Sequence, residues 1–281
     1  MERNAGSIVG EMPDPVAVAR LEERRQALGV ATIADEWAES MGGTLCAGPR
    51  GSWLNRARGV GLEGPVTDDE IDAMVAFYRD RGHPPAAEVV PFIHETLLEG
   101  LGRRGFAITE FLSCWAIGTE ALAGDLPGCP AGIEMKRIDP GDPDAVRAWA
   151  ALLSDGFHES GTEEHAENVR VMSVVAVQPG VHSVGAFDGG RIVGASAMEV
   201  ASPTGGQAIA GLFSASVAEG VRGRGIQTAM IAERLRIAHE HGAWAACIES
   251  KPGIATERNA RRMGFSPVYT KAVLTQERSA T

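Results

Sequence analysis

Three glycines, two arginines and a threonine fall within ten residues of one another, Glu219 to Thr228 (Glu-Gly-Val-Arg-Gly-Arg-Gly-Ile-Gln-Thr). A predicted strand, 208–217, precedes them, and a predicted helix, 226–241, begins among them. Glycines let the backbone turn tightly enough for several N–H groups to converge at a helix start. The helix dipole adds positive potential there, so the segment has the makings of an anion site. Arg222 and Arg224 supply further charge, and Thr228 a hydroxyl. A plain glycine-rich turn between strand and helix has the same residues, so the motif needs its surroundings to carry meaning. A Walker phosphate loop is excluded, because no lysine follows the second glycine. A dinucleotide fingerprint is nearer: Gly223 and Gly225 stand in place and Glu249 ends the next strand. However, Thr228 replaces the third glycine, and only 32 residues follow Glu249, too few for the rest of a doubly wound sheet.

The elements that must position this loop are legible around it. Ile133–Ile138 alternates as a strand. Asp142-Pro143-Asp144 supplies an N-cap, a proline at the first helical position and an acid at the dipole, opening a helix that carries Val146, Trp149 and Leu153 on one side. Thr162 with Glu163 and Glu164 starts another. Predicted strands 181–187 and 192–200 flank the hairpin turn Asp188-Gly189-Gly190. After the helix 226–241 come a strand at 244–249, a short helix at 256–263 closed by Gly264, and two strands or one bent strand over 265–275. Nearer the N-terminus, Val16–Leu28 reads as a helix ended by Gly29 as a C-cap. Strands are expected at 44–47, 57–62 and 87–93, and helices at 68–79, with Thr67 as N-cap, and at 96–104. Residues 106–117 read as two strands in succession.

The two halves end alike. Gly105 follows Thr67 by 38 positions, and Gly264 follows Ile226 by the same 38. Arg103-Arg104-Gly105-Phe106 echoes Arg261-Arg262-Met263-Gly264-Phe265, and the order of elements agrees, which points to an internal duplication. The Pro/Gly-rich segment Gly124–Pro130 is the natural joint.

The run Arg222 to Thr228, after a strand ending in Val217, resembles the acetyl-CoA loop of the GNAT superfamily of N-acetyltransferases, whose pattern is Arg/Gln-x-x-Gly-x-Gly/Ala. Gln227 replaces the last small residue here. Thr256 to Asn259 through Gly264-Phe265 is similar to that family's closing helix and its Gly-Phe. The resemblance is specific over the second half and architectural over the first. It implies an α/β (α+β) fold of two tandem GNAT-like domains, each a mixed, mostly antiparallel sheet flanked by helices. Residues 1–124 would form a degenerate domain, 125–131 a linker and 132–281 the catalytic domain. It further implies acyl transfer, normally of acetyl, from acetyl-CoA as co-substrate to a primary amine. Ala215, Ser216 and Val217 would lend main-chain groups to the pantetheine arm. Gly223, Arg224, Gly225, Ile226, Gln227 and Thr228 would hold the pyrophosphate, with Asn259 standing in for an asparagine that the family often has earlier in its closing helix.

Direct transfer needs an amine relieved of its proton and a thiolate that regains one. Many family members place a tyrosine acid four residues before the helix-ending glycine, and here that position is Ala260. Tyr269 is the substitute, with a packed core ring as the other reading. Glu249, at the end of the strand expected to splay from 208–217, is the expected base, and Glu199 the second choice. His158, Glu159 and His165 lack the spacing of a zinc helix, and no metal is expected. In the first half the corresponding loop contains Glu63 and Pro65 and leads into Asp68, Asp69 and Glu70, which would repel a pyrophosphate. That half is expected to have lost the cofactor and to cover the catalytic domain or wall its acceptor cleft.

A balance of 26 Lys+Arg against 37 Asp+Glu gives −11, which argues against nucleic acid and anionic membranes as partners. The resemblance implies a small-molecule or peptide amine as acceptor. Cys46, Cys114, Cys129 and Cys247 are scattered, with neither zinc-site nor disulfide spacing, which fits a reducing cytoplasm. No apolar run suits a signal peptide or a membrane span. A protein that holds acyl-CoA or a partner without turnover is the alternative from another functional class.

Overall fold

The computed structural model describes residues 13–120 and 126–276. The stretch Met1–Gly10 and the first two residues of the expected joint, Gly124 and Asp125, lie outside them. Eleven strands form one sheet: β1 (Glu36–Ser40), β2 (Gly43–Ala47), β3 (Ala57–Arg58), β4 (Ala86–Val89), β5 (Ala107–Gly118), β6 (Ile133–Arg137), β7 (Val181–Asp188), β8 (Arg191–Ala201), β9 (Ala208–Val217), β10 (Ala243–Ser250) and β11 (Ser266–Thr275). Among the described residues seven α-helices flank it: α1 (Pro15–Ala31), α2 (Asp68–Asp80), α3 (Glu95–Arg103), α4 (Pro143–Ser154), α5 (Glu163–Ala176), α6 (Ile226–Glu240) and α7 (Ala255–Arg262).

The helix starts follow the expected chemistry. Thr67 and Glu70 form a reciprocal capping box at α2, Asp142 accepts from the amides of Asp144 and Ala145 at α4, and Thr162 accepts from His165 at α5. The end of α1 differs from expectation, because the helix runs through Gly29 to Ala31. Gly29 lies inside the helix against the Glu199 carboxylate instead of capping it: a Cβ there would stand 2.8 Å from Glu199 Oε2. The strand expected over 57–62 shrinks to Ala57–Arg58, since Gly59 and Gly61 take left-handed φ and leave the ladder.

Strand order is β1-β2-β3-β4-β11-β5-β10-β9-β8-β7-β6. Only β3–β4 and β9–β10 are parallel, one pair at the equivalent place in each half. The two last strands are exchanged. β11, from the second half, lies between β4 and β5 (Ala272 opposite Val89, Lys271 opposite Leu112), and β5, from the first half, pairs with β10 (Trp115 opposite Ile248). The exchange explains why residues 107–118 form one long strand where two were expected. The strand must run on from its partner β11 to reach its partner β10.

Apolar side chains separate by face. On one face, Ile231 and Leu235 of α6 pack with Leu212, Trp115 and Ile248, while Ile71, Met74 and Leu97 of α2 and α3 pack with Val89 and Leu274. On the other, α4 and α5 bring Trp149, Leu153 and Met172 against Ala195 and Ala197. α1 lies across the junction of the halves, with Val18, Ala19 and Leu21 on Ile209, Cys114, Cys247 and Tyr269. Each buried Val, Leu, Ile or Met among these contributes on the order of 1.5–3 kcal/mol. No helix among the described residues is long and apolar enough to cross a membrane.

Candidate active site

β9 and β10 run side by side until Leu212 meets Ile248, after which β9 continues to Val217 paired with β8 alone. A cleft of about 440 Å³ opens on the edge that β10 leaves free. Ala215, Ser216 and Val217 form one wall, Val221 to Gly223 and Gly225 to Thr228 another, and Ala255, Thr256, Asn259 and Arg262 of α7 a third, with Gly156 of the α4–α5 loop at the rim. A bulge shapes the first wall. Ser214 takes φ 41°, and the pairing with β8 shifts between Ser196–Ala215 and Ala197–Phe213. Bulges of this kind bend a strand and re-aim its backbone groups.

A single turn of 3₁₀-helix at Glu219–Val221 leads into Gly223 (φ 80°) and Gly225 (φ 82°). Gly225 is the N-cap of α6, and no side chain caps that helix. Its first amides therefore keep their hydrogen-bonding capacity where the dipole is positive, on the cleft wall. Arg222 lines the cleft while its Nε donates to Val217 O at 3.0 Å. Arg224 is turned away to pair with Asp188 at 2.7 Å. Arg262 supplies a cleft-lining guanidinium that the sequence reading passed over. The signal was available, since Thr256, Asn259 and Arg262 recur at three-residue spacing on one helix face.

Neither Tyr269 nor Glu249 is among the cleft-lining residues. Tyr269 is 6% exposed, and its hydroxyl donates to Glu23 Oε1 of α1 at 2.7 Å. Burial, with Cys114 and Glu23 beside it, pushes that phenol well above its ordinary range. The structure thus gives Tyr269 the packed position, with its proton committed to Glu23 and the ring edge-on to Phe92. Glu249 stands one residue past the last β9–β10 pair. Cys247 packs under α1 and Ile248 under α6, so alternation puts Glu249 on the α1 face. Its Oε1 lies 2.6 Å from the fully buried Lys271 Nζ, which also holds Glu23 and Glu88, each at 3.1 Å. Burial and the crowding of Glu23 and Glu88 raise the Glu249 carboxyl to about 7 against the pull of Lys271. Glu249 keeps 21% of its side chain exposed. Glu199 is tied to Arg25, which in turn pairs with Glu22. His165 pairs with Asp155 at 3.0 Å.

Residues 137–268 match the family model of the acetyltransferase (GNAT) domain. The second half belongs to the GNAT superfamily. Solved structures extend the likeness in fold to both halves. A GCN5-related N-acetyltransferase from Kribbella flavida superposes with TM-score 0.69 at 17% identity, over 96% of this chain and 97% of that one. A tandem GNAT protein from the clavulanic acid biosynthesis pathway gives 0.57 at 18%, over 72% and 67%. A conserved protein of unknown function from Staphylococcus epidermidis gives 0.56 at 12%, over 81% and 87%. No curated protein sequence matches the chain. The fold is that of two tandem GNAT-like units.

The two units treat equivalent helix starts differently. In the second GNAT unit the N-terminus of α6 has no side-chain cap and faces a cleft. In the first, Thr67 and Glu70 occupy the start of α2, Asp68 draws Arg103 and Arg104 to itself, each at 2.8 Å, and the amide of Val66 donates to Thr96.

Proposed function

We propose that this protein transfers an acyl group, normally acetyl, from coenzyme A to a primary amine of a small molecule or peptide. One observation carries the reading: the uncapped start of α6 and the part of β9 that has parted from β10 meet at a single cleft of a GNAT domain. Gly223, Gly225, Ile226, Gln227 and Thr228 would bind the pyrophosphate through main-chain amides, with Arg222 and Arg262 adding charge. Ala215, Ser216 and Val217 would hold the pantetheine arm, and Asn259 would face it from α7. In the transfer, the amine nitrogen bonds to the thioester carbon, the carbon–sulfur bond breaks, and the products are an amide and the CoA thiol. Glu249 is the group best suited to take the proton from the amine, being partly exposed beside the splay and held near neutral pKa. With Tyr269 committed to Glu23, water is the simplest source of the proton for sulfur.

We read residues 1–124 as a degenerate domain, 125–131 as the joint and 132–281 as the catalytic unit, one CoA being bound per chain. A non-catalytic acyl-CoA-binding protein is the second reading, favoured by the fully buried Ala260 at the place where many GNAT members carry their tyrosine acid. Thiol release from acetyl-CoA across a panel of amines tests the choice. Amine-dependent release supports the enzyme, and CoA binding without release under any amine supports the second reading.

A further inference from the structure

Arg234 of α6 is 3% exposed, and among the described residues no carboxylate lies within ion-pair distance of it. Burial alone pushes its guanidinium down to about 9. An unpaired buried cation is costly, so what its donors bond to must compensate. What Arg234 touches is specific. Nη1 donates to Ala197 O at 3.0 Å and to Phe213 O at 3.3 Å, and Nε donates to Met230 O at 3.2 Å. Ala197 and Phe213 are the pair at which the β8–β9 register shifts, and the residue skipped is Ser214, at φ 41°. A non-glycine residue held there stores roughly 1–3 kcal/mol of strain and persists only where its surroundings over-determine it.

We propose that Arg234 is a positioning residue. It fastens the two carbonyls of the pair that borders the bulge, one on each strand, holds Ser214 in its left-handed conformation, and so sets the direction in which Ala215 and Ser216 present their backbone groups to the cleft. The ligand these groups meet is the acyl thioester of coenzyme A, and to that extent the inference rests on the function proposed above. A bond to Phe213 O also polarises the peptide shared with the Ser214 N–H, strengthening that donor as negative charge grows on an acyl oxygen.

The test uses the full chain. In Arg234→Met, amide hydrogen exchange over residues 213–216 of the ligand-free protein should accelerate at least tenfold. Calorimetry should show CoA affinity at least threefold weaker than wild type, because Ala215 and Ser216 hold the pantetheine arm, and any preference for acetyl-CoA over CoA lost. Adding Ser214→Gly, which accepts positive φ without strain, should restore both readouts. Unchanged exchange together with an unchanged acetyl-CoA preference overturns the proposal, and so does failure of Ser214→Gly to rescue. If Arg234→Met does not fold, Arg234→Lys replaces it, since an ammonium cannot span all three carbonyls. Exchange in that variant equal to wild type overturns the proposal. Absence of CoA binding by the wild type would defeat the proposed function but leave the exchange measurement to decide the clamp.

Discussion

Lys271 on β11 reaches across the intervening β5 to place its Nζ 2.6 Å from Glu249 Oε1 on β10. The lysine fixes the carboxylate, while burial and two further carboxylates raise its pKa to about 7. A base must be deprotonated to act, so kcat/KM should be low at pH 6 and climb through pH 7 to a plateau near pH 8. Glu249→Gln should lose that inflection and about 10²-fold in kcat, the lower end of general-base contributions. A flat wild-type profile across pH 7 together with an active Gln variant would exclude Glu249.

Tyr269→Phe separates packing from catalysis. Removing the hydroxyl leaves Glu23 short of a buried donor, which costs about 1–3 kcal/mol. The variant should unfold at lower denaturant while kcat changes less than tenfold. A 10²-fold fall in kcat at unchanged stability would return Tyr269 to the role of acid that its sequence position suggested.

Gly225 occupies φ 82° at the head of α6, where a β-branched side chain is strained. Gly225→Val should weaken CoA binding at least tenfold, about 1.4 kcal/mol, in a protein that remains folded. Gly225→Asn, which tolerates the left-handed region, should lose less. Equal affinity of all three forms by calorimetry would remove the loop from the binding site.

Titrating CoA into the intact chain should saturate near one equivalent. The capping box at Thr67–Glu70 and the acid Asp68 fill the start of α2 that would otherwise receive a second pyrophosphate. Two equivalents of similar affinity would refute this.

Glu88 supplies a stability prediction. Burial works against its charge, but Arg58, Lys271 and Arg56 prevail and hold it at about 2, against 4.5 for the free group. Its contribution is therefore present above pH 4.5 and is lost as the pH falls toward 2, about 3 kcal/mol in all. Glu88→Gln should flatten the acid limb of the unfolding free energy in that window. A wild-type limb already flat there would show that the pairs do not stabilise the fold.

Local chemistry was readable from the residues, and long-range pairing was not. Thr67, Asp142 and Thr162 announced their helices because capping involves neighbours three positions away. The 38-residue echo exposed the duplication, and the run from Arg222 to Thr228 located the cleft, because its glycines act through their own backbone. The exchange of β5 and β11 left no such trace, since either strand suits either place by alternation alone. The fate of Tyr269 followed from that exchange, because its partner Glu23 lies on a helix near the other end of the chain. Ser214 gave no signal either, as a strained serine reads like any other. Gly29 misled for a related reason: what it packs against is Glu199, far away in sequence.

The crossed strands also order events in time. β5 ends at Gly118, whereas β10, its neighbour on one side, begins at Ala243, 125 residues later, and β11 follows on the other. At synthesis rates of about 5–20 residues per second, the ribosome needs roughly 6–25 s to cover that interval. Throughout it, a nascent strand bearing Phe111, Leu112, Trp115 and Ile117 has neither edge satisfied. The early half can collapse around α2 and α3 but cannot close, so its completion waits on the segment that carries β11. Shelter of that interval by a chaperone should govern how much protein a cell recovers, independently of how stable the finished sheet is.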